Sequence, residues 1–206
     1  MILRRTVDAT VEPITLAEAK DHLRLTHDLD DDYVTALIKA ARQYTEQAIN
    51  RALLTQTWEL TLSGFPIEDH ITLPYGPLIS VSSVAYRDAN NATQTLSATT
   101  EYEVDASSKR GRIILRDRVV WPPTYGRWND VVITFVAGFG AAATALPEPL
   151  KQGAKLLVSQ MYEQRVPEIT GTIVTKVGFA FDALVSPYKM PIKRFEARTY
   201  KGGRYE

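Results

Sequence analysis

From residue 16 to residue 49, apolar side chains recur at intervals of three and four. Leu16, Ala19 and Leu23, with the neighbouring Leu25, predict a short helix over 16–25. Val34, Leu37, Ile38, Ala41, Tyr44, Ala48 and Ile49 predict a second helix over 31–50. Lys39, Arg42, Gln43, Glu46 and Gln47 fall on its other face, which is expected to be open to solvent or to a subunit. At Thr57 the period switches to two: Trp58, Leu60 and Leu62 alternate with polar neighbours, as a half-buried strand requires. Further strand-like segments follow at 70–74, 78–87, 93–96, 101–105, 112–116 and 130–136. Turn-rich stretches separate them, among them 75–77, 88–92 and 107–111. The segment Trp121-Pro-Pro123 reads as an irregular edge. Short strands at this spacing imply a small antiparallel sandwich or barrel. The helical period returns after Pro147, where Leu150, Ala154, Leu157, Val158, Met161 and Tyr162 form one stripe on a helix over 148–165. A helix with one apolar face needs a helical partner, and the second helix is the obvious one.

Local signals sharpen this outline. Thr15 and Glu18 have the spacing of a capping box, which fixes the start of the first helix. Residues 1–12 lack a helical period and read as an extended arm. The acidic run Asp28, Asp30, Asp31, Asp32 suggests either a calcium loop or a helix start. The calcium reading fails, because no glycine stands at the sixth position of such a loop and Lys39 or Ala41 stands at the twelfth. The helix-start reading needs only carboxylates near the positive end of a helix dipole. Residues 167–180 read as a loop with one short strand over 172–177, and 182–188 as one or two helical turns. From Lys189 onward six basic residues face two acidic ones, with Phe195, Tyr200 and Tyr205 between them. The expected class is therefore α+β: a helical core (hairpin at 1–55, third helix at 141–166), an inserted antiparallel β domain at 56–140, and a loop and basic C-terminal arm at 167–206.

Composition excludes more than it suggests. The chain has 206 residues, 45% apolar and 23% charged, and a formal net charge of zero. That is ordinary globular usage, with no global argument for nucleic acid or anionic membrane as partner. There are no cysteines, so disulfides, zinc–thiolate sites and cysteine nucleophiles are excluded. No stretch approaches the ~20 apolar residues of a membrane span. His22, His27 and His70 do not share a helical face, and no metal site or cofactor is expected. No phosphate loop or nucleophile elbow appears. Glu101, Glu103 and Asp105 lie at period two on one strand, as a pair of glycosidic carboxylates could, but a wet sheet face has the same pattern. Trp121, Trp128, Tyr125 and Tyr86 could bind sugar, making the β domain a carbohydrate- or host-recognition module, or could be core. Good structural grammar with almost no chemical constellation favours an assembly role over an enzyme.

The order of motifs supports that preference. Pro13-Ile-Thr-Leu-Ala-Glu-Ala-Lys-x-His-Leu-Arg-Leu leads to Asp-Asp, then Leu-Ile-x-Ala-Ala-Arg-x-Tyr-x-Glu, then Arg51-Ala-Leu-Leu-Thr-Gln-Thr-Trp58. Pro77-Leu-Ile-Ser-Val-x-Ser-Val-x-Tyr86, Tyr102-x-Val-Asp105, Trp121-Pro122, Phe135-x-Ala-Gly138, Pro147-x-x-Leu and Tyr162-x-x-Arg165 continue the series. Together they resemble the head–tail connector (adaptor, head-completion) family of tailed bacteriophages and gene transfer agents, over about 13–165. Leu184-Val-x-Pro-Tyr188 also resembles the family's ending. The resemblance implies a non-enzymatic virion protein in the neck of a phage-like particle, present in host cytoplasm during assembly. It would form a homo-oligomeric ring, a dodecamer, extending the DNA channel, with transient contact to double-stranded DNA and no membrane partner. Its other partners would be a portal protein and a tail-side stopper or tail terminator. The C-terminal arm would reach the portal, through Tyr188, Lys193, Arg194, Phe195, Arg198, Tyr200 and Arg204. Lys39, Arg42 and Glu46 on the second helix are the candidate ring contacts.

Overall fold

The computed structural model describes residues 1–164 and 175–191. Among them the order is β1 (Ile2–Val7), α1 (Leu16–Leu23), α2 (Asp31–Ile49), β2 (Gln56–Leu62), β3 (His70–Thr72), β4 (Leu78–Arg87), β5 (Thr93–Thr95), β6 (Tyr102–Asp105), β7 (Arg112–Leu115), β8 (Val131–Ala137), α3 (Glu148–Glu163) and α4 (Thr175–Val185). Short 3₁₀ turns precede α3 and follow α4. The chain is thus a mixed helical and antiparallel-sheet protein. It divides into two compact units. One holds residues 1–8 and 55–138, and the other 9–54 and 139–191.

The first unit contains two antiparallel sheets. The larger runs β1-β2-β8-β4-β5 and the smaller β3-β7-β6. β2 and β8 are in continuous register, with Trp58 opposite Phe135, Leu60 opposite Ile133 and Leu62 opposite Val131. All six side chains are buried, so strict alternation in both strands builds one apolar face. β4 adds Val84 opposite Ile133 on that face. In the smaller sheet Ile71 of β3 lies opposite Ile113 of β7, both buried. Gly111, just before β7, allows close approach: a Cβ there would lie 2.3 Å from the Cβ of Leu78. Residues 1–12, expected as an arm, instead supply an edge strand, because Ile2 to Val7 pair along β2.

The second unit is helical. Thr15 caps α1 through the complete box: the Glu18 amide donates to Thr15 Oγ1 at 3.2 Å, and the Thr15 amide donates to Glu18 Oε2 at 2.8 Å. The helices end at Arg24 and Asn50, both left-handed, with φ of 58° and 55°. Val34, Ile38, Ala41 and Ile49 of α2 share a core with Leu150, Leu157 and Val158 of α3 and Phe181 and Val185 of α4. Gly153 lets α3 approach α4, since a Cβ there would meet Val185 at 3.2 Å. The loop expected over 167–180, with its strand over 172–177, is corrected from Thr175 onward, where α4 begins; 167–174 lie outside the described residues.

Candidate functional site

The acidic turn between α1 and α2 works as a brace. Asp30 occupies the N-cap position but makes no capping bond with its side chain. It accepts from the Tyr162 hydroxyl at 2.6 Å, while Lys20 Nζ reaches Asp28 at 2.5 Å and Asp31 at 2.7 Å. These bonds hold the Asp28 carboxyl below its ordinary range and raise the Lys20 ammonium, the hydrogen bonds being the main cause in each case. Tyr33 packs beside Tyr162, with ring centres 6.1 Å apart, and so joins α2 to α3. Among the described residues no group of three or more His, Asp or Glu side chains is placed to hold a metal.

The outer face expected on α2 needs correction. Arg42 is 0% exposed and Glu46 is also buried, so neither faces outward. Arg42 Nε donates to Glu12 Oε2 at 2.8 Å and its Nη1 to Glu46 Oε2 at 3.3 Å, while Glu46 Oε1 accepts the Leu53 amide at 3.1 Å. The network ties the approach to α1 and the exit from α2 to the middle of the helix. Helical period could not reveal this, because a charged residue inside a satisfied network looks the same in sequence as one in water. Lys39 is exposed as expected. Tyr44, expected in the core, is 51% exposed, its ring tilted against that of Phe181 with centres 5.6 Å apart. The outward face of α2 is therefore Thr35, Ala36, Lys39, Ala40, Tyr44 and Gln47.

Of the residues expected to meet a portal, only Tyr188 is described. It is half-buried, with its ring 6.5 Å from that of Phe139. Two residues on, the Met190 amide donates to Ile49 O at 2.8 Å and Asn50 Nδ2 donates to Met190 O at 3.0 Å. The chain is thus pinned to the end of α2 through Met190. Lys193, Arg194, Phe195, Arg198, Tyr200 and Arg204 lie outside the described residues.

The row Glu101, Glu103, Asp105 is a set of separately engaged carboxylates. Glu101 accepts from the Ser97 amide at 2.7 Å, and Glu103 pairs with Arg116 at 2.8 Å. Asp105 accepts from the Ser107 and Ser108 hydroxyls and amides, which lower its pKa to about 2, the Ser108 hydroxyl contributing most. Such an acid holds a turn and is a poor proton donor near neutral pH. Of the four aromatics considered for sugar, Trp121 stacks flat on Phe65, 4.7 Å between centres, and its indole N–H donates to Glu68 O at 2.7 Å. Tyr86 meets Phe65 edge-on. Tyr125 and Trp128 are exposed on the loop 116–129. No open platform joins the four.

The geometry thus presents braced helices, paired sheets and exposed surface. Residues 13–113 match the family model of phage gp6-like head-tail connector proteins. The connector resemblance drawn from the motif order is thereby shown, and it falls on the helical hairpin and the sheet segments that follow it. Solved structures extend the likeness to nearly the whole chain. A chain in the neck of an empty GTA particle, computed with C6 symmetry, has a TM-score of 0.77 and 27% identity, over 96% of this chain and 100% of that one. A chain of the virion of a native gene transfer agent particle gives 0.75 and 27%, over 95% and 98%. One from the neck of a native GTA particle, computed with C12 symmetry, gives 0.74 and 26%, over 96% and 100%. No curated protein matches the sequence.

Proposed function

We propose that this chain is a structural subunit of the neck of a phage-like particle, a head–tail connector repeated in a closed ring, without enzymatic activity of its own. The observation that carries the reading is the likeness over 96% of the chain to a protein of a neck with twelvefold symmetry. A subunit that sits off the axis of such an assembly is repeated twelve times around it, so the ring proposed here is a dodecamer. Rings of this kind close through two different faces per subunit, each meeting the other on the neighbour. The basic segment after Pro191 docks on the portal above, tail components bind below, and passing double-stranded DNA is touched only in transit.

The pinning of Met190 fixes how the arm should be tested. Removing residues 192–206 leaves the Met190 bonds and the helical core in place. The truncated chain is expected to fold with an unchanged circular dichroism spectrum and to lose its binding to portal rings in a pull-down. Normal incorporation of the truncated chain into particles contradicts the arm's role. A sugar-binding β domain finds no support, since Trp121 and Tyr86 are engaged with Phe65.

A further inference from the structure

We propose that the loop 116–129 is a docking surface for a second copy of this chain, and that it receives the neighbour's acidic turn with Leu29 at its tip. This inference rests on the ring reading above. The loop is fixed along its length. The Val119 amide donates to Arg116 O, Trp121 is stacked on Phe65, and the Tyr125 amide donates to Arg87 O at 3.1 Å. Asp130, buried at the far end, accepts from the amides of Gly126 and Arg127. On this fixed backbone Val120 is 80% exposed and Trp128 67% exposed. Tyr125 carries the Arg127 guanidinium over its ring at 5.3 Å, and Arg118, also exposed, pairs with Asp117 at 3.6 Å. Tryptophan, tyrosine and arginine on a preorganised loop are the side chains that carry binding energy at protein interfaces.

The turn between α1 and α2 is the complementary shape on the same chain. Leu29 is 92% exposed, the highest value among the large apolar residues described. Asp28 and Asp32, both exposed, flank it, and the Lys20 and Tyr162 bonds hold the turn rigid. An apolar tip beside the exposed Asp32 carboxylate matches an apolar loop bearing the Arg127 guanidinium. The two surfaces differ, so each copy offers its turn to one neighbour and its loop to the other, as ring closure requires. Nucleic acid is the poorer occupant, because the exposed Val120 has nothing to gain from a phosphate backbone.

The chain has no cysteine, which makes the contact directly testable. Full-length Leu29→Cys and Trp128→Cys variants are mixed and treated with oxidant or a short bis-maleimide, both as isolated proteins and in purified particles. The expected product is a dimer from the mixture and none from either variant alone; the double variant gives a ladder of cross-linked oligomers. In parallel, Asp32→Arg weakens self-association at least about tenfold, and Asp32→Arg with Arg127→Asp recovers part of the loss. Rings seen by native mass spectrometry without this cross-link overturn the proposed contact and leave the ring reading standing. A chain that is monomeric in solution, absent from rings in particles and never cross-linked overturns both. Cross-linking of either single variant to itself overturns the heterologous pairing.

Discussion

Arg42 is the residue whose role the structure changes most. Its guanidinium is fully buried between Glu12 and Glu46, and Glu46 in turn holds the Leu53 amide. Removing one member of a buried ion network strands the others, which costs about 3–5 kcal/mol. Arg42→Ala is therefore expected to lower unfolding stability in urea by about 3 kcal/mol or more, whereas Lys39→Ala, on the exposed face, shifts it by less than about 0.5 kcal/mol. Asp105 provides a pH test. Its ordinary value of 3.8 falls to about 2 in the folded chain because the Ser108 and Ser107 hydroxyls and amides bind the ionised form. A depressed carboxyl contributes its stability above the ordinary value and loses it as the pH falls through the folded one. The turn 105–108 is thus expected to hold at pH 5 and loosen between about pH 4 and about pH 2. Faster amide exchange at Ser107 and Ser108 in that window is the readout, and Asp105→Asn should remove the dependence.

At the scale of elements, most of the architecture was legible. α1 and α2 were readable because a capping box and a three-and-four period agree, and β4 because ten residues alternate between two turn signals. Three features escaped for physical reasons. β1 has no clear alternation, since an edge strand exposes much of both faces, and only its pairing with β2 identifies it. The first three residues of α4 looked like strand because Thr175 and Val177 are β-branched, which is only a weak preference. The inward face of Arg42 and Glu46 could not be read, because their burial depends on Glu12, thirty residues from Arg42. Two element-level tests follow. Thr15→Ala removes the side-chain half of the capping box and is expected to lower thermal stability by about 1 kcal/mol. Gly111→Ala places a methyl group against Leu78, where an approach of 2.3 Å leaves no room. An overpacked site of this kind costs roughly 1–3 kcal/mol, so the thermal midpoint should fall although alanine is otherwise a mild change.

At the scale of the molecule, the connector likeness over residues 13–113 and the GTA neck likeness over almost the whole chain support a common account. The helical unit supplies rigidity through its braces, and the sheet unit carries a fixed loop with exposed aromatic and basic side chains. Under the ring proposal, the exposed Trp128 and Leu29 are surfaces that a neighbouring copy covers. Native mass spectrometry of the full-length chain, alone and with portal rings, measures this most directly. The account predicts a closed oligomer of twelve copies that binds the portal ring; a chain that stays monomeric in both conditions and shows no affinity for portal would contradict it.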